Sequence, residues 1–168
     1  MELTLTFEGR IPAQRTDLSV VWQMRSSFSA QLQKVWGKPP FSILKKWEDS
    51  QFAAGAPRFT RVVGGQTFVP LYGNDVGVGV SLDITLLTGL PIRKPVISAG
   101  DLDNRIKRII DALRVPQGHG EMQPNLQADG RYYSLIENDD AVLSLTAQLG
   151  PYLGSNDPAV SFAVIRVR

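Results

Sequence analysis

The chain has no cysteine and only one histidine, His119, among its 168 residues. Disulfides, thiolate zinc sites, cysteine nucleophiles and centres built on two histidines are thereby excluded. Its polar chemistry rests on carboxylates, hydroxyls, amides, lysine and arginine. Absent cysteine fits a reducing compartment. Long apolar runs are missing as well. The longest candidate, from Val76 to Leu90, is broken by Gly77, Gly79, Ser81, Asp83, Thr85 and Thr88, short of the roughly 18 apolar residues of a membrane span. The opening residues, MELTLTFEGRIPAQR, lack the basic-then-apolar pattern of a secretory signal. A cytoplasmic protein without membrane partners is the expectation.

What is present is ordinary globular material, 43% hydrophobic and 20% charged, in a length that suits one domain with a sizeable core. The net charge of +2 averages two unlike halves. Residues 1–100 hold eleven Lys/Arg against seven Asp/Glu, whereas residues 101–168 hold seven against nine. Six of those nine acids fall in two short runs, Asp101 to Asp111 and Glu137 to Asp140. A basic body thus carries a tight acidic focus.

Leu3, Leu5 and Phe7 alternate with polar residues, the period of a half-buried strand. From Asp17, capped by Thr16 or Asp17, the stripe Leu18, Val21, Trp22, Phe28, Leu32, Val35, Trp36 predicts a helix whose aromatic face is core. Gly37, Pro39 and Pro40 stop it, and a short helix is expected around Ile43 to Asp49. Arg58 to Val63 and Gln66 to Leu71 flank Gly64-Gly65 as a hairpin. A long strand is expected from Val76 to Leu87, and a second helix from Leu102 to Arg114. Two closing strands follow, Ala141 to Leu149 and Ala159 to Arg168. The order predicts an α+β fold, a small mixed β-sheet with two main helices packed on it. It forms one domain over 1–168, with a surface excursion at about 114–138. Glycines 77 and 79 form no phosphate loop, since no Lys-Ser/Thr and no helix follow them.

The informative segment is Asp101-Leu102-Asp103-Asn104, then Lys107, then Asp111-Ala112-Leu113, and later Asp139-Asp140. On a helix, Asp103, Lys107 and Asp111 share one polar face opposite the isoleucines. Carboxylates gathered at ~4 Å repel by roughly 4 kcal/mol per pair at an effective dielectric of ~20. A lysine, a proton or a divalent cation must relieve that. Oxygen-only ligands select hard ions, Mg²⁺ or Mn²⁺ first. Each part also has a plain structural use. Asp101 suits a helix cap, Asp103 the positive end of a helix dipole, and Asp139-Asp140 a turn.

These residues resemble the RusA family of Holliday-junction resolvases, found in bacteria, phages and prophages. The family pattern is Asp-x-Asp-Asn, two spacers, Lys, three spacers, Asp-Ala-Leu, and a later Asp-Asp opening a strand. Residues 101–143 carry the match, about a quarter of the chain. The resemblance implies a homodimeric, Mg²⁺-dependent endodeoxyribonuclease (Mn²⁺ as substitute) that resolves four-way junctions or other branched DNA by paired nicks, in recombination and repair. It implies Asp101, Asp103 and Asp140 as catalytic metal ligands, Asp139 as their support, and Lys107 at the scissile phosphate. Asn104 and Asp111 are supporting residues of the motif. Two departures stand out: residues 114–138 intervene before Asp139, and Gly100 takes the place of a basic residue before Asp101.

Two other classes compete. An aspartate-nucleophile phosphohydrolase uses similar residue types, but needs its first aspartate at the end of an early strand in a parallel sheet. A non-catalytic nucleic-acid-binding module would use the basic half through Arg10, Arg15, Arg58, Arg61, Arg93 and Lys94, with Lys45 and Lys46. Tyr132 and Tyr133 are candidates to stack on bases.

Overall fold

Alternation at the N-terminus produces β1 (Leu3–Arg10), with Leu5 and Phe7 buried and Thr4, Thr6 and Glu8 exposed. The computed structural model describes residues 2–13, 18–48, 59–89, 101–123 and 130–168. The side chains of Lys46, Trp47, Val76 and Asp101 fall outside that description. Helix α1 (Leu18–Trp36) buries the expected stripe, including Trp22 and Trp36 at 1% exposure each. Arg25 lies inside that stripe and is buried with it. The capping pair Thr16 and Asp17 lies outside the described residues. A 3₁₀ turn, Phe41–Trp47, takes the place expected for a short helix.

The hairpin forms as predicted from β2 (Arg61–Val63) and β3 (Gln66–Tyr72). Gly64 and Gly65 both have positive φ, 57° and 80°, the geometry of a two-residue turn that L-residues resist. Strand β4 (Val80–Thr88) starts later than the alternation suggested. A 3₁₀ turn at Asn74–Val76 and a left-handed Gly77 precede it, which leaves Val78 exposed. Helix α2 (Asp101–Leu113) buries Ile106, Ile109 and Leu113, with Leu102 and Ile110 packed at the margin. The chain closes through β5 (Arg131–Ile136), β6 (Val142–Pro151) and β7 (Val160–Val167).

Seven strands form two sheets among the described residues. The larger runs β1-β7-β4-β6, with β4 antiparallel to β7 and parallel to β6; the smaller runs β2-β3-β5, with β3 parallel to β5. α1 packs against β1, β5 and α2. One continuous apolar core joins Leu5, Ile84, Ile165, Phe28, Ile109, Leu71 and Leu135, residues drawn from both sheets and both helices. This is the expected α+β fold of two helices packed with mixed sheets.

The segment 114–138 departs from the expected surface excursion. Arg114 and Val115 are buried, and residues 133–136 of β5 are buried too. The Gly-, Gln- and Asn-rich composition of the segment hid this strand, whose apolar part is only four residues long. Tyr133 is buried in the core, and its hydroxyl donates to Glu48 at 3.2 Å. Tyr132 packs edge-on to Trp22 and tilted against Phe68. Tyr133 is thereby taken up by the core, whereas Tyr132 is half-buried in this aromatic packing.

Candidate functional site

Asp101 opens α2, and Asp103 and Asn104 stand exposed in its first turn. The N-terminal end of a helix favours negative charge there. Lys107 is exposed one turn on from Asp103. Asp101 begins a helix, whereas an aspartate-nucleophile phosphohydrolase needs its first aspartate at the end of an early strand.

Asp111 does something else. Its carboxylate accepts from Arg114 at 2.9 and 3.2 Å, and its carbonyl accepts from Arg25 Nη2 at 2.7 Å. Arg114 also donates to both oxygens of Glu121 at 2.9 Å. Arg25 lies over the Trp22 ring at 4.7 Å, with Nε and Nη1 buried and without partners. Burial pushes the Arg25 guanidinium down to about 10, despite Glu121 and Asp111 nearby. Burial alone would raise the Glu121 carboxyl, but the Arg114 hydrogen bonds and charge, with the Gln117 N–H, hold it below its ordinary value. This polar knot fastens residues 114–121 to both helices.

The second acidic run begins with a clamp. Glu137 accepts from Arg61 Nε at 2.5 Å and Nη2 at 3.0 Å, and from the Asn74 N–H at 2.8 Å. Its own N–H donates to the Tyr72 carbonyl, and its carbonyl accepts from Gln117 Nε2. Two residues later Asp139 and Asp140, both exposed, occupy a 3₁₀ turn, Asp139–Ala141, that opens β6. Gly79 permits this approach: a Cβ there would collide with Leu143 and lie 2.9 Å from the Ala141 carbonyl.

The structure sorts the described carboxylates into two classes. Glu2, Asp83, Asp75, Glu137, Asp111, Glu121 and Glu48 are ion-paired with arginines. Glu8 accepts from Tyr152, and Asp157 from the Ala159 N–H. Only Asp103, Asp139 and Asp140 make no side-chain hydrogen bond or ion pair among the described residues, and Asn104 and Lys107 are likewise uncommitted. As oxygen donors those carboxylates suit a hard divalent cation.

Position is a separate matter. Arg105 of α2 reaches Ser161 at 3.4 Å, and Ser161 pairs with Thr88 at the end of β4. The Asp139–Asp140 turn opens β6 at the opposite end, where Val142 pairs with Val80. Asp103 is not brought together with Asp139 and Asp140, and no three His, Cys, Asp or Glu side chains among the described residues gather to hold a metal.

Of the basic residues expected to meet nucleic acid, Arg10 is exposed at the end of β1. Arg61 is instead consumed by Glu137 and Asp75. Burial alone would lower its pKa, but the hydrogen bonds and charge of Glu137 raise it overall. Arg15, Arg58, Arg93 and Lys94 lie outside the described residues. Sequence reasoning missed Arg25, Arg114, Glu121 and Glu137 as a supporting framework. Only Arg25 carried a signal, a cation at a position of the α1 stripe that should be apolar. No helix among the described residues is long and apolar enough to cross a membrane. No family model, no curated protein and no solved structure matches the chain.

Proposed function

We propose that the chain is a divalent-cation-dependent endodeoxyribonuclease of RusA type, acting on four-way junctions or other branched DNA as a homodimer. The observation that carries the reading is the coincidence of two independent selections. Of the motif residues, Asp103, Asp139 and Asp140 are the described carboxylates left uncommitted, with Asn104 and Lys107 also free, while Asp111 is paired with Arg114 and arginines or other donors take up every other described carboxylate. Carboxylates spent on structure are partnered; these are free for a ligand.

In this reading Asp101, Asp103 and Asp140 supply oxygen ligands, with Asp139 in support. A bound Mg²⁺ would supply Lewis-acid stabilisation of charge on a phosphodiester. Lys107, one helical turn from Asp103, offsets the phosphate charge from the same helix face. Arg10 and the basic first hundred residues attract the DNA backbone in a salt-dependent way.

The test compares Mg²⁺-dependent cleavage of a synthetic four-way junction with that of a linear duplex. Selective nicking of the junction is expected, and Asp103→Asn is expected to abolish cleavage while junction binding survives. Cleavage unaltered in that variant sinks the assignment. The separation of Asp103 from Asp139 and Asp140 favours a second reading, a non-catalytic DNA-binding module. Binding of junctions with no cleavage by the unaltered protein would select it.

A further inference from the structure

Two buried arginines meet at Asp111, in the last turns of α2. The Asp111 carbonyl accepts from Arg25 Nη2 at 2.7 Å, and its carboxylate accepts from Arg114 Nε and Nη2. Arg25 is 2% exposed and Arg114 is 8% exposed. Arg114 is fully committed, its three nitrogens donating to Asp111, Glu121 and the Val115 carbonyl. Arg25 is not. Its Nε and Nη1 are buried and have no hydrogen-bond partner among the described residues. The Trp22 ring, its centre 4.7 Å from the guanidinium, offsets charge but supplies no lone pair. Burying charged donors without acceptors is costly, and polar networks that serve structure alone satisfy them.

Glu121 is held beside them the way an anionic ligand is held. Its carboxylate accepts two bonds from the Arg114 fork, both at 2.9 Å, and one from the Gln117 N–H at 3.1 Å. A guanidinium fork joined to a backbone N–H is also how proteins cradle phosphate. Of the acidic groups around Arg25, Glu121 acts most strongly on its charge and Asp111 next, with Arg114 opposing both. Yet both oxygens of Glu121 are taken by Arg114 and Gln117, and neither bonds to Arg25. A terminal phosphate has a third oxygen to give. Glu121 is also free to leave. Its side chain is 36% exposed, and Gly118 and Gly120 before it stand in open space. Its main chain is fixed, the carbonyl accepting from Trp22 Nε1 at 2.9 Å and the N–H donating to the Gly118 carbonyl at 3.1 Å. The carboxylate can therefore turn out to water while the backbone stays in place.

We propose that Arg25, Arg114 and the Gln117 N–H form a binding site for a terminal phosphate group, and that the Glu121 carboxylate is its built-in plug. The site uses none of the uncommitted acidic residues and does not rest on the nuclease reading. Binding is an exchange. Glu121 turns to solvent, the phosphate takes over its bonds to Arg114 and Gln117, and the third oxygen meets Arg25 Nε and Nη1. Negative charge facing the two guanidinium groups is thereby kept, so neither cation is left buried and unopposed. A phosphodiester presents only two unesterified oxygens, as a carboxylate does, and gains nothing over Glu121. The ligand class is accordingly inorganic phosphate or a phosphate monoester, the latter supplied by a mononucleotide or by a 5′-phosphorylated DNA end.

The test follows the arginine Nε–H signals of the full chain by NMR, with inorganic phosphate as the first probe. Saturable shifts of the Arg25 and Arg114 signals are expected. Glu121→Gln keeps the shape of the plug and removes its charge, and is expected to tighten phosphate binding on the order of 10-fold. Arg25→Lys keeps the charge but loses the fork, and is expected to weaken binding by a similar factor. Should that variant fail to fold, the Arg25 signal of the unaltered protein and of Glu121→Gln still decides. No saturable shift at Arg25 in either protein overturns the site, and equal affinity in the two overturns the plug. A 5′-deoxynucleoside monophosphate and a short 5′-phosphorylated oligonucleotide then separate the sources. Shifts with the mononucleotide alone assign the site to a small ester, and shifts with both assign it to a DNA end as well. An oligonucleotide with a 5′-hydroxyl that moves the Arg25 signal equally well overturns the assignment to a terminal phosphate.

Discussion

The two edges of the larger sheet are built on opposite principles. β1 alternates polar residues outward, carries Glu8 and Arg10, and has its middle closed by the Gln31 amide from α1. β6 has no charge, no side-chain plug among the described residues, and leucines turned to solvent. Only the open edge begins at the uncommitted acidic turn, and that turn is held at its base by the Arg61–Glu137 clamp and by the close approach at Gly79.

Several substitutions would break or sharpen that contrast. The largest effect is expected from Glu137→Ala at the base of the open edge. It leaves the half-buried Arg61 guanidinium without its main partner, a loss of about 1.5–3 kcal/mol, measurable by denaturant unfolding. Gly79→Ala should follow at about 2 kcal/mol, because the new methyl meets the Ala141 carbonyl and Leu143. A neutral outcome there would mean the acidic turn is not fixed by β4. On the sealed edge, Gln31→Ala should cost about 1 kcal/mol and speed amide exchange at Thr6. Unchanged exchange would show that the edge is protected by other means.

The smallest effects concern pH. Glu121 has a depressed folded pKa, so the stability from its bond to Arg114 is present above its unfolded value and is lost as pH falls through the folded one. Thermal melts should therefore weaken in the acid range below about pH 4.5. Partial exposure of Glu121 keeps the loss modest.

Much of the fold was legible because periodicity and turn chemistry are local. Leu3, Leu5 and Phe7 announced β1, Gly64-Gly65 announced the hairpin, and the isoleucines of α2 announced its buried face. β5 was not legible, since four apolar residues in a polar stretch become a strand only through pairing with β3. Arg61 read as a DNA contact for a similar reason. Its partner Glu137 is 76 residues away, and no spacing rule connects them. The motif aspartates were legible, but their freedom from partners was not.

By itself the sequence determined the chemical repertoire and the elements. It excluded thiol and multi-histidine chemistry, concentrated acid in two runs, and set the α+β order through hydrophobic period and glycine-proline punctuation. Only the tertiary structure decided which carboxylates are spent on arginines, which sheet edge is closed, and that Asp103 and Asp140 sit at different ends of the sheet. Those outcomes depend on contacts between residues far apart in the chain, where packing and strand register rather than local preference choose the neighbour.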